Sequence, residues 1–193
     1  MKSIKIVIMI FLFAGINFAQ TNWGLDKSHS RIGFSVTHMV IAEVEGQFNN
    51  FEVKITSTKD NFEDAQIDFS ADVNSIDTDN EKRDGHLKSD DFFNAEKFPK
   101  MTFVGKSLKK VSDKNYKLVG DLTIRDVTKS VTLDVKYNGT VKDPWGNTKA
   151  GFKVTGVINR FDYALKWNAA LETGGLVASE DVTLLINLEL NKQ

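Results

Sequence analysis

The chain changes character at Asn80-Glu-Lys-Arg-Asp-Gly-His-Leu-Lys-Ser-Asp-Asp-Phe-Phe-Asn-Ala-Glu-Lys-Phe-Pro99. Between residues 21 and 141 this is the one stretch that does not read as strands and turns, and strand-like segments lie on both sides of it. A short helical segment is therefore predicted around residues 80–96. Because the stretch is very polar and locally aromatic, we expect it to form a lid over a cavity, or the mouth of one.

The segments on either side alternate between apolar and polar residues, which is the pattern of half-buried strands. In residues 65–73, for example, the odd-numbered positions from Ile67 to Val73 are apolar and those between them are polar. Gly46 predicts a bulge or bend, and residues 112–115 and 143–147 predict tight turns. The predicted strands are 31–39, 43–56, 65–73, 100–111, 116–125, 130–142, 149–159 and 181–191.

Eight long strands joined mostly by short turns indicate an antiparallel barrel, with room inside for side chains or for one ligand. A sandwich of two sheets is the alternative. The barrel is favoured because the strands are long, the connections are hairpin-like, and closure removes exposed edges. The sequence therefore predicts an all-β fold, an extended eight-stranded antiparallel barrel with one short helical segment.

Residues 1–19 have the organisation of a secretory signal peptide. Lys2 and Lys5 precede an apolar run from Ile6 to Phe13, and polar residues follow Ala19 at once. A membrane anchor is the alternative, but the apolar run is too short to span a bilayer comfortably. We expect cleavage after Ala19, one mature domain at residues 20–193, and localisation in the periplasm or outside the cell.

The charge and cysteine content exclude several kinds of partner. The chain has 25 Lys and Arg against 26 Asp and Glu, and it has no cysteine. The resulting net charge of −1 argues against binding to nucleic acid and against a polybasic contact with membranes. An exported chain without disulfides needs a proper hydrophobic core to be stable.

Several short motifs occur in a fixed order along the predicted mature chain. They are Trp23-x-x-Asp26-x-x-His29-Ser30, Ile32-x-Phe34-x-Val36-x-His38, Arg83-Asp-Gly-His86-Leu87-Lys-Ser-x-Asp91-Phe92-Phe93, Phe98-Pro99, Gly120-x-Leu122-Thr123-Ile124 and Asn159-Arg160-x-Asp162-Tyr163. In this order and spacing they resemble the YceI-like family, the polyisoprenoid-binding, lipocalin-like proteins of bacteria.

The resemblance implies a lipocalin-like barrel whose long apolar interior takes an isoprenoid-type amphiphile. Family members are often dimeric, so a homodimer is a further expectation. The chain departs from the family where Ala164 follows Tyr163, since the family commonly has a glycine there. A second departure is Asp126-Val127, where the family usually has a glycine before Thr128.

The candidate ligand-binding residues come from alternating strand positions, from the polar stretch and, for Trp167, from the loop after Tyr163. An ordinary packed core is the alternative for the aromatic ones, because cores and ligand cavities use the same residue types. The candidates are Phe34, Val36, His38, Phe48, Phe69, Ala71, Arg83, His86, Phe92, Phe93, Phe103, Leu122, Ile124, Phe152 and Trp167.

Arg83 has three interpretations. It could form a surface ion pair with Asp84, which would contribute little to stability. It could bind an anionic or polar head group at the barrel mouth, together with Lys88, because arginine suits bidentate contact with phosphate. It could also anchor the helical segment to the barrel.

Three classes of function are compared. The first is an exported protein that binds a polyisoprenoid phosphate or an isoprenoid quinone-like lipid for transport, storage or sequestration. The second is a hydrolase or metal-dependent enzyme that uses His29, His38 and His86, and the third is a ligand-free structural or stress protein. No nucleophile motif and no close spacing of metal ligands occurs, so we predict no catalytic residue, no bound metal and no cofactor. The first class is favoured.

Overall fold

The fold is an antiparallel β-barrel, seen in a computed structural model that describes residues 20–172 and 174–193. The predicted signal peptide at residues 1–19 lies outside the described residues. Within the described part, one α-helix, α1, runs from Glu81 to Lys88. The strands there are β1 Thr21–Leu25, β2 Arg31–His38, β3 Ala42–Phe48, β4 Phe51–Ser57, β5 Gln66–Asp72, β6 Ile76–Asp77, β7 Lys100–Ser112, β8 Asn115–Ile124, β9 Val127–Lys142, β10 Thr148–Asn159 and β11 Ala178–Lys192.

The described strands form a closed eight-stranded barrel, as predicted. They number eleven because three of the eight barrel strands are each interrupted and so consist of two shorter strands. The ring runs β1-β4-β5-β7-β8-β9-β10-β11, and β11 pairs back to β1. A short 3-10 turn at Lys27–His29 separates β1 from β2, and both strands pair with β11. In the same way β3 and β4 continue one another, as do β5 and β6. In the described part of the chain, no helix is long and apolar enough to cross a membrane.

The predicted bend at Gly46 is wrong. Gly46 stays in register opposite Phe34, and the interruption falls later, at Asn49 and Asn50 between β3 and β4. Glycine is needed for packing instead, because a Cβ atom here would lie 2.4 Å from the Phe34 ring and 2.7 Å from Cγ2 of Thr78. The short strands β1 and β6 were not predicted from the sequence.

One end of the barrel is closed by aromatic side chains. The ring of Phe62, which is only 2 % exposed, lies 5.0 Å from the rings of Trp23 and Phe152 and 5.6 Å from that of Tyr137. Tyr137 also stacks on Phe152 at 5.1 Å. Such close ring pairs stabilise a core beyond the apolar area that they bury. We call this group of four side chains the floor.

A half-buried network around one carboxylate holds the loop that carries Phe62. The side chain of Asp64 accepts hydrogen bonds from Ser57 Oγ at 2.6 Å and from the backbone N–H of Thr58 at 2.9 Å. Burial raises the pKa of Asp64, but the hydrogen bonds from Ser57, Thr58 and Lys59 outweigh this effect and hold it well below its usual range. The loop therefore keeps Phe62 in the barrel end.

Two glycines, Gly120 and Gly85, provide a matched test of side-chain packing in the barrel wall. At Gly120 on β8, a Cβ atom would lie 2.2 Å from the Phe103 ring and 2.5 Å from the backbone oxygen of Val104, whereas at Gly85 on α1 it would meet nothing within 4 Å. We expect Gly120→Ala to lower the free energy of unfolding by about 1–3 kcal/mol through overpacking. We expect Gly85→Ala to raise it by up to about 1 kcal/mol, because alanine is the better helix former.

Chemical denaturation of both variants beside the wild type measures these changes. A Gly120→Ala variant as stable as the wild type would contradict the close approach of Phe103 and Val104 to this position.

Candidate functional site

An apolar cavity of about 640 Å³ occupies the barrel between the floor and helix α1. Its walls are side chains of strands β2, β3, β4, β5, β7, β8, β9, β10 and β11. A second void of about 50 Å³ lies towards the floor and is lined by Phe62 and Phe152. Four residues line both spaces and so separate them: Ile67, Leu118, Val154 and Leu188.

Thirteen of the fifteen candidate residues line the larger cavity, which places them together in space although their part in binding stays a prediction. They come from five strands, from the polar stretch and from the segment before β11. They are Phe34, Val36, His38, Phe48, Phe69, Arg83, His86, Phe92, Phe93, Phe103, Leu122, Ile124 and Trp167.

Ala71 and Phe152 lie outside that cavity, so the structure corrects their placement. Ala71 is 1 % exposed and sits in the sheet between Phe51 and Met101 on the neighbouring strands. Phe152 belongs to the floor, where its ring packs on Phe62 and Tyr137. Strand alternation predicts which face a residue occupies, but the depth along the barrel depends on register.

The mouth of the cavity lies beneath helix α1, which Thr78 and Asn80 hold in place. The side chain of Asn80 accepts a hydrogen bond from the backbone N–H of Arg83 and so caps the helix. The buried hydroxyl of Thr78 accepts a hydrogen bond from Arg83 Nε at 2.8 Å and donates one to Asp84 Oδ1 at 2.5 Å. Arg83 Nη2 donates a further bond to the carbonyl oxygen of Thr78.

These contacts support the interpretation that Arg83 anchors the helix, over a surface ion pair with Asp84. Arg83 anchors α1 to the end of β6, and among the described residues it makes no ion pair with a carboxylate. It also lines the cavity, so the same side chain is available to a ligand. Lys88, its suggested companion, does not line the cavity, whereas Lys82 does.

Three rings connect the helix to the segment that precedes β11. The ring of His86 meets Phe92 edge-on at 5.1 Å and Trp167 edge-on at 5.0 Å, and Phe92 lies 5.5 Å from Trp167. Nε2 of His86 lies 2.9 Å from the carboxylate of Asp91, which orients the imidazole ring. The aromatic part of the polar stretch therefore forms one side of the mouth.

Arg160 also lines the cavity, and the sequence analysis did not select it as a site residue. Its side chain is 4 % exposed. The guanidinium donates to four carbonyl oxygens, those of Leu165 at 2.5 Å, Ser179 at 2.8 Å, Trp167 at 2.9 Å and Ala178 at 3.0 Å. The one signal that could have found it is its place in the motif Asn159-Arg160-x-Asp162-Tyr163, directly after the last residue of β10.

The departure at Ala164 occurs where the backbone favours glycine. Ala164 has φ 61° and ψ 19°, the left-handed conformation that glycine adopts at no steric cost. Its N–H bonds to the carbonyl of Phe161, and its own carbonyl oxygen accepts a hydrogen bond from Arg125 Nη1 at 3.3 Å. The turn is thus kept with alanine, at the cost of local strain.

The three histidines do not form one site. His38 pairs with Ala178 at the start of β11, whereas His29 lies beside Glu189 near the end of the same strand. His86 lies on α1 and, like His38, lines the mouth. The length of the barrel therefore separates His29 from the other two.

His29, Asp26 and Glu189 lie close enough together to bind a cation, but a lysine already lies between the two carboxylates. Lys149 Nζ is 2.7 Å from a carboxylate oxygen of Asp26 and 2.7 Å from one of Glu189. The hydrogen bond from Lys149, followed by that from His29, lowers the pKa of Asp26 to about 2. This cluster is accounted for as an ion-pair network outside the cavity.

Comparisons with known proteins agree with this architecture. A family model described as a YceI-like domain matches residues 23–190. UPF0312 protein SAS2572 of Staphylococcus aureus strain MSSA476 is 41 % identical over 172 residues, which cover 89 % of this chain and 98 % of that protein.

Solved structures have the same fold. The crystal structure of the Campylobacter jejuni YCEI protein matches with a TM-score of 0.68 and 32 % identity, over 88 % of this chain and 96 % of that one. A polyisoprenoid binding domain from Saccharophagus degradans matches with a TM-score of 0.63 and 16 % identity, over 89 % and 98 % of the two chains. By its sequence and its fold, the chain belongs to the YceI-like family.

Proposed function

We propose that this protein binds a long apolar amphiphile inside its barrel, as a carrier, store or sequestering protein for a polyisoprenoid phosphate or an isoprenoid quinone-like lipid. The observation that carries the proposal is the apolar cavity of about 640 Å³, which side chains of α1 border, among them the exposed Lys82. A volume of this size lies within the range of pockets that hold one small ligand. The polyisoprenoid binding domain from Saccharophagus degradans has the same fold, which supports the choice of ligand class.

An amphiphile suits the cavity because its tail can be buried in the apolar interior while its head group stays at the polar mouth. Burying apolar surface contributes about 25 cal/mol per Å² removed from water, so a long hydrocarbon tail can supply most of the affinity. The polar and charged residues of the lining gather at the mouth, among them Thr78, Arg83 and His86. A tail that points to the floor would therefore leave its head group among these residues.

A ligand-free structural protein is the second candidate, and the packing disfavours it. Packed protein interiors contain few voids larger than a water molecule, because empty space forfeits dispersion contacts. A void of about 640 Å³ would be a large loss if nothing filled it. An enzyme that uses the three histidines together is disfavoured by the distance between His29 and the mouth.

Lipid retention tests the proposal directly. Protein purified from a bacterial host should carry a lipid by native mass spectrometry. Leu184→Trp should lower the occupancy, because Leu184 lines the cavity and the larger ring would take space that the tail needs. Val104→Trp is the matched control, since Val104 is 51 % exposed on the outer face of β7.

Thermal melts of both variants show whether the barrel is intact. If the wild type never carries a lipid and binds none of the isoprenoid lipids offered to it, the proposed function is wrong.

We also propose that the protein is exported, on the pattern of residues 1–19 alone. When it is expressed with its own N-terminus in a Gram-negative host, we expect the protein outside the cytoplasm to begin at or near Gln20. Intact mass measurement of the periplasmic and secreted fractions checks this. Met1 retained on the protein in those fractions would contradict the proposal.

The residues between the two voids should limit the length of the bound tail. Leu118→Ala would join the 50 Å³ void to the main cavity, so we expect a shift of the retained lipids towards longer tails. Leu87→Ala removes the same atoms from the cavity wall near the mouth and should leave the length distribution unchanged.

Both substitutions create space and are expected to cost about 2–5 kcal/mol of stability when that space stays empty. The measurement is native mass spectrometry of the retained lipids, with a thermal melt of each variant. An identical shift in both variants, or none in Leu118→Ala, would contradict a length limit at this position.

A further inference from the structure

The charged residues that line the cavity all carry one sign of charge. Lys82, Arg83 and Arg160 line it, and among the residues that the structure describes no Asp or Glu does. The chain as a whole has slightly more acidic than basic residues, 26 against 25, so a mixed lining would be the ordinary expectation. The lining itself is therefore cationic on a protein of net charge −1, and the nearest carboxylates, Asp84 and Asp91, are bonded to Thr78 and His86.

Arg160 is a buried cation that no carboxylate of the described residues contacts. Its four described hydrogen bonds all go to carbonyl oxygens, which leaves one of its five N–H groups for another acceptor. Glu180 is exposed and acts on Arg160 only at longer range, as no ion pair forms between them in the described part of the chain. A buried charge that lacks a counter-charge is costly, and an anion in the cavity would remove that cost.

Arg83 and Arg160 line the cavity from two different elements, helix α1 and the turn after β10. The guanidinium carbon of Arg160 lies 5.9 Å from the centre of the Phe92 ring, and the His86 ring lies 5.1 Å from that same ring. Arg83 lies one helical turn before His86 and keeps N–H groups that no described residue accepts. Lys82 is exposed at the rim, next to Arg83.

We propose that this site binds an anionic head group, a phosphate monoester or a carboxylate, between Arg160 inside the mouth and Arg83 and Lys82 on the lid helix. The proposal rests on the proposed function, because it names the head group of the lipid whose tail fills the cavity. Lipids with a neutral alcohol or quinone head group should therefore bind more weakly. Arginine provides the planar set of donors that phosphate and carboxylate oxygens accept.

Three lipids with one tail separate the head group from the tail: geranylgeranyl phosphate, geranylgeranoic acid and geranylgeraniol. Their competition for the wild-type protein is measured by native mass spectrometry at neutral pH. We expect at least one of the two anions to bind roughly tenfold or more tightly than the alcohol, as a hydrogen bond to a charged group would provide. The comparison of the two anions distinguishes a phosphate site from a carboxylate site.

Substitutions then locate the preference. Arg83→Gln, Lys82→Gln and Arg160→Lys should each reduce the ratio of anion to alcohol affinity, the last because lysine lacks the planar fork. Lys88→Gln is the matched control, since Lys88 is on the same helix but does not line the cavity. If Arg160→Lys fails to fold, the double variant Lys82→Gln and Arg83→Gln decides.

Equal affinity of the wild type for all three lipids would overturn the anionic site and leave the proposed function standing. A preference for anions that survives in every folded variant would also overturn it, because the anion would then be bound elsewhere. If none of the three lipids binds, the proposed function itself fails.

Discussion

Pairing of β11 on both of its edges is the constraint on which the structure depends. Residues 178–192 of this strand pair with β10 on one side and with β2 and β1 on the other. This pairing closes the sheet, satisfies its edges and turns the apolar faces of all strands towards a common interior. An eight-stranded barrel is wide enough either to be filled by its side chains or to hold one small ligand, and here the side chains leave about 640 Å³ free.

The two ends of the barrel are built differently, and this difference gives the cavity a direction. At the floor, Phe62 is held among other aromatic rings by a loop whose carboxylate, Asp64, is fully engaged in hydrogen bonds. At the mouth, the lid helix is tied down by Thr78 and Asn80 and presents cationic side chains. An amphiphile inside such a barrel would place its apolar tail at the floor and its head group among the charged residues of the mouth.

Much of this architecture follows from local patterns, and those predictions are confirmed. Alternation over eight segments predicted the barrel, and the polar stretch predicted the helix that became α1. The motifs between residues 23 and 163 identified the YceI-like family, and the family model matches residues 23–190. The strands β1 and β6 were missed because they have five and two residues, too few for alternation to be recognised. The bend near Gly46 was misplaced because the glycine was interpreted as a sign of a backbone bend. Its role is to leave room for the Phe34 ring.

The sequence by itself determined the eight long strand segments, the residues that share a face within each, the polar stretch that holds α1, and the family, because period-2 alternation and motif spacing are local properties. Only the tertiary structure decided the depth of each residue in the barrel. Register put Phe152 in the floor and Ala71 in the sheet between Phe51 and Met101, and neither lines the cavity. The tertiary structure likewise placed Arg160 at the cavity. Its guanidinium donates to carbonyl groups of residues up to 19 positions away in the sequence, which the fold brings next to it. Such partners leave no pattern in the sequence, since every residue has a carbonyl group and only the fold selects which ones meet.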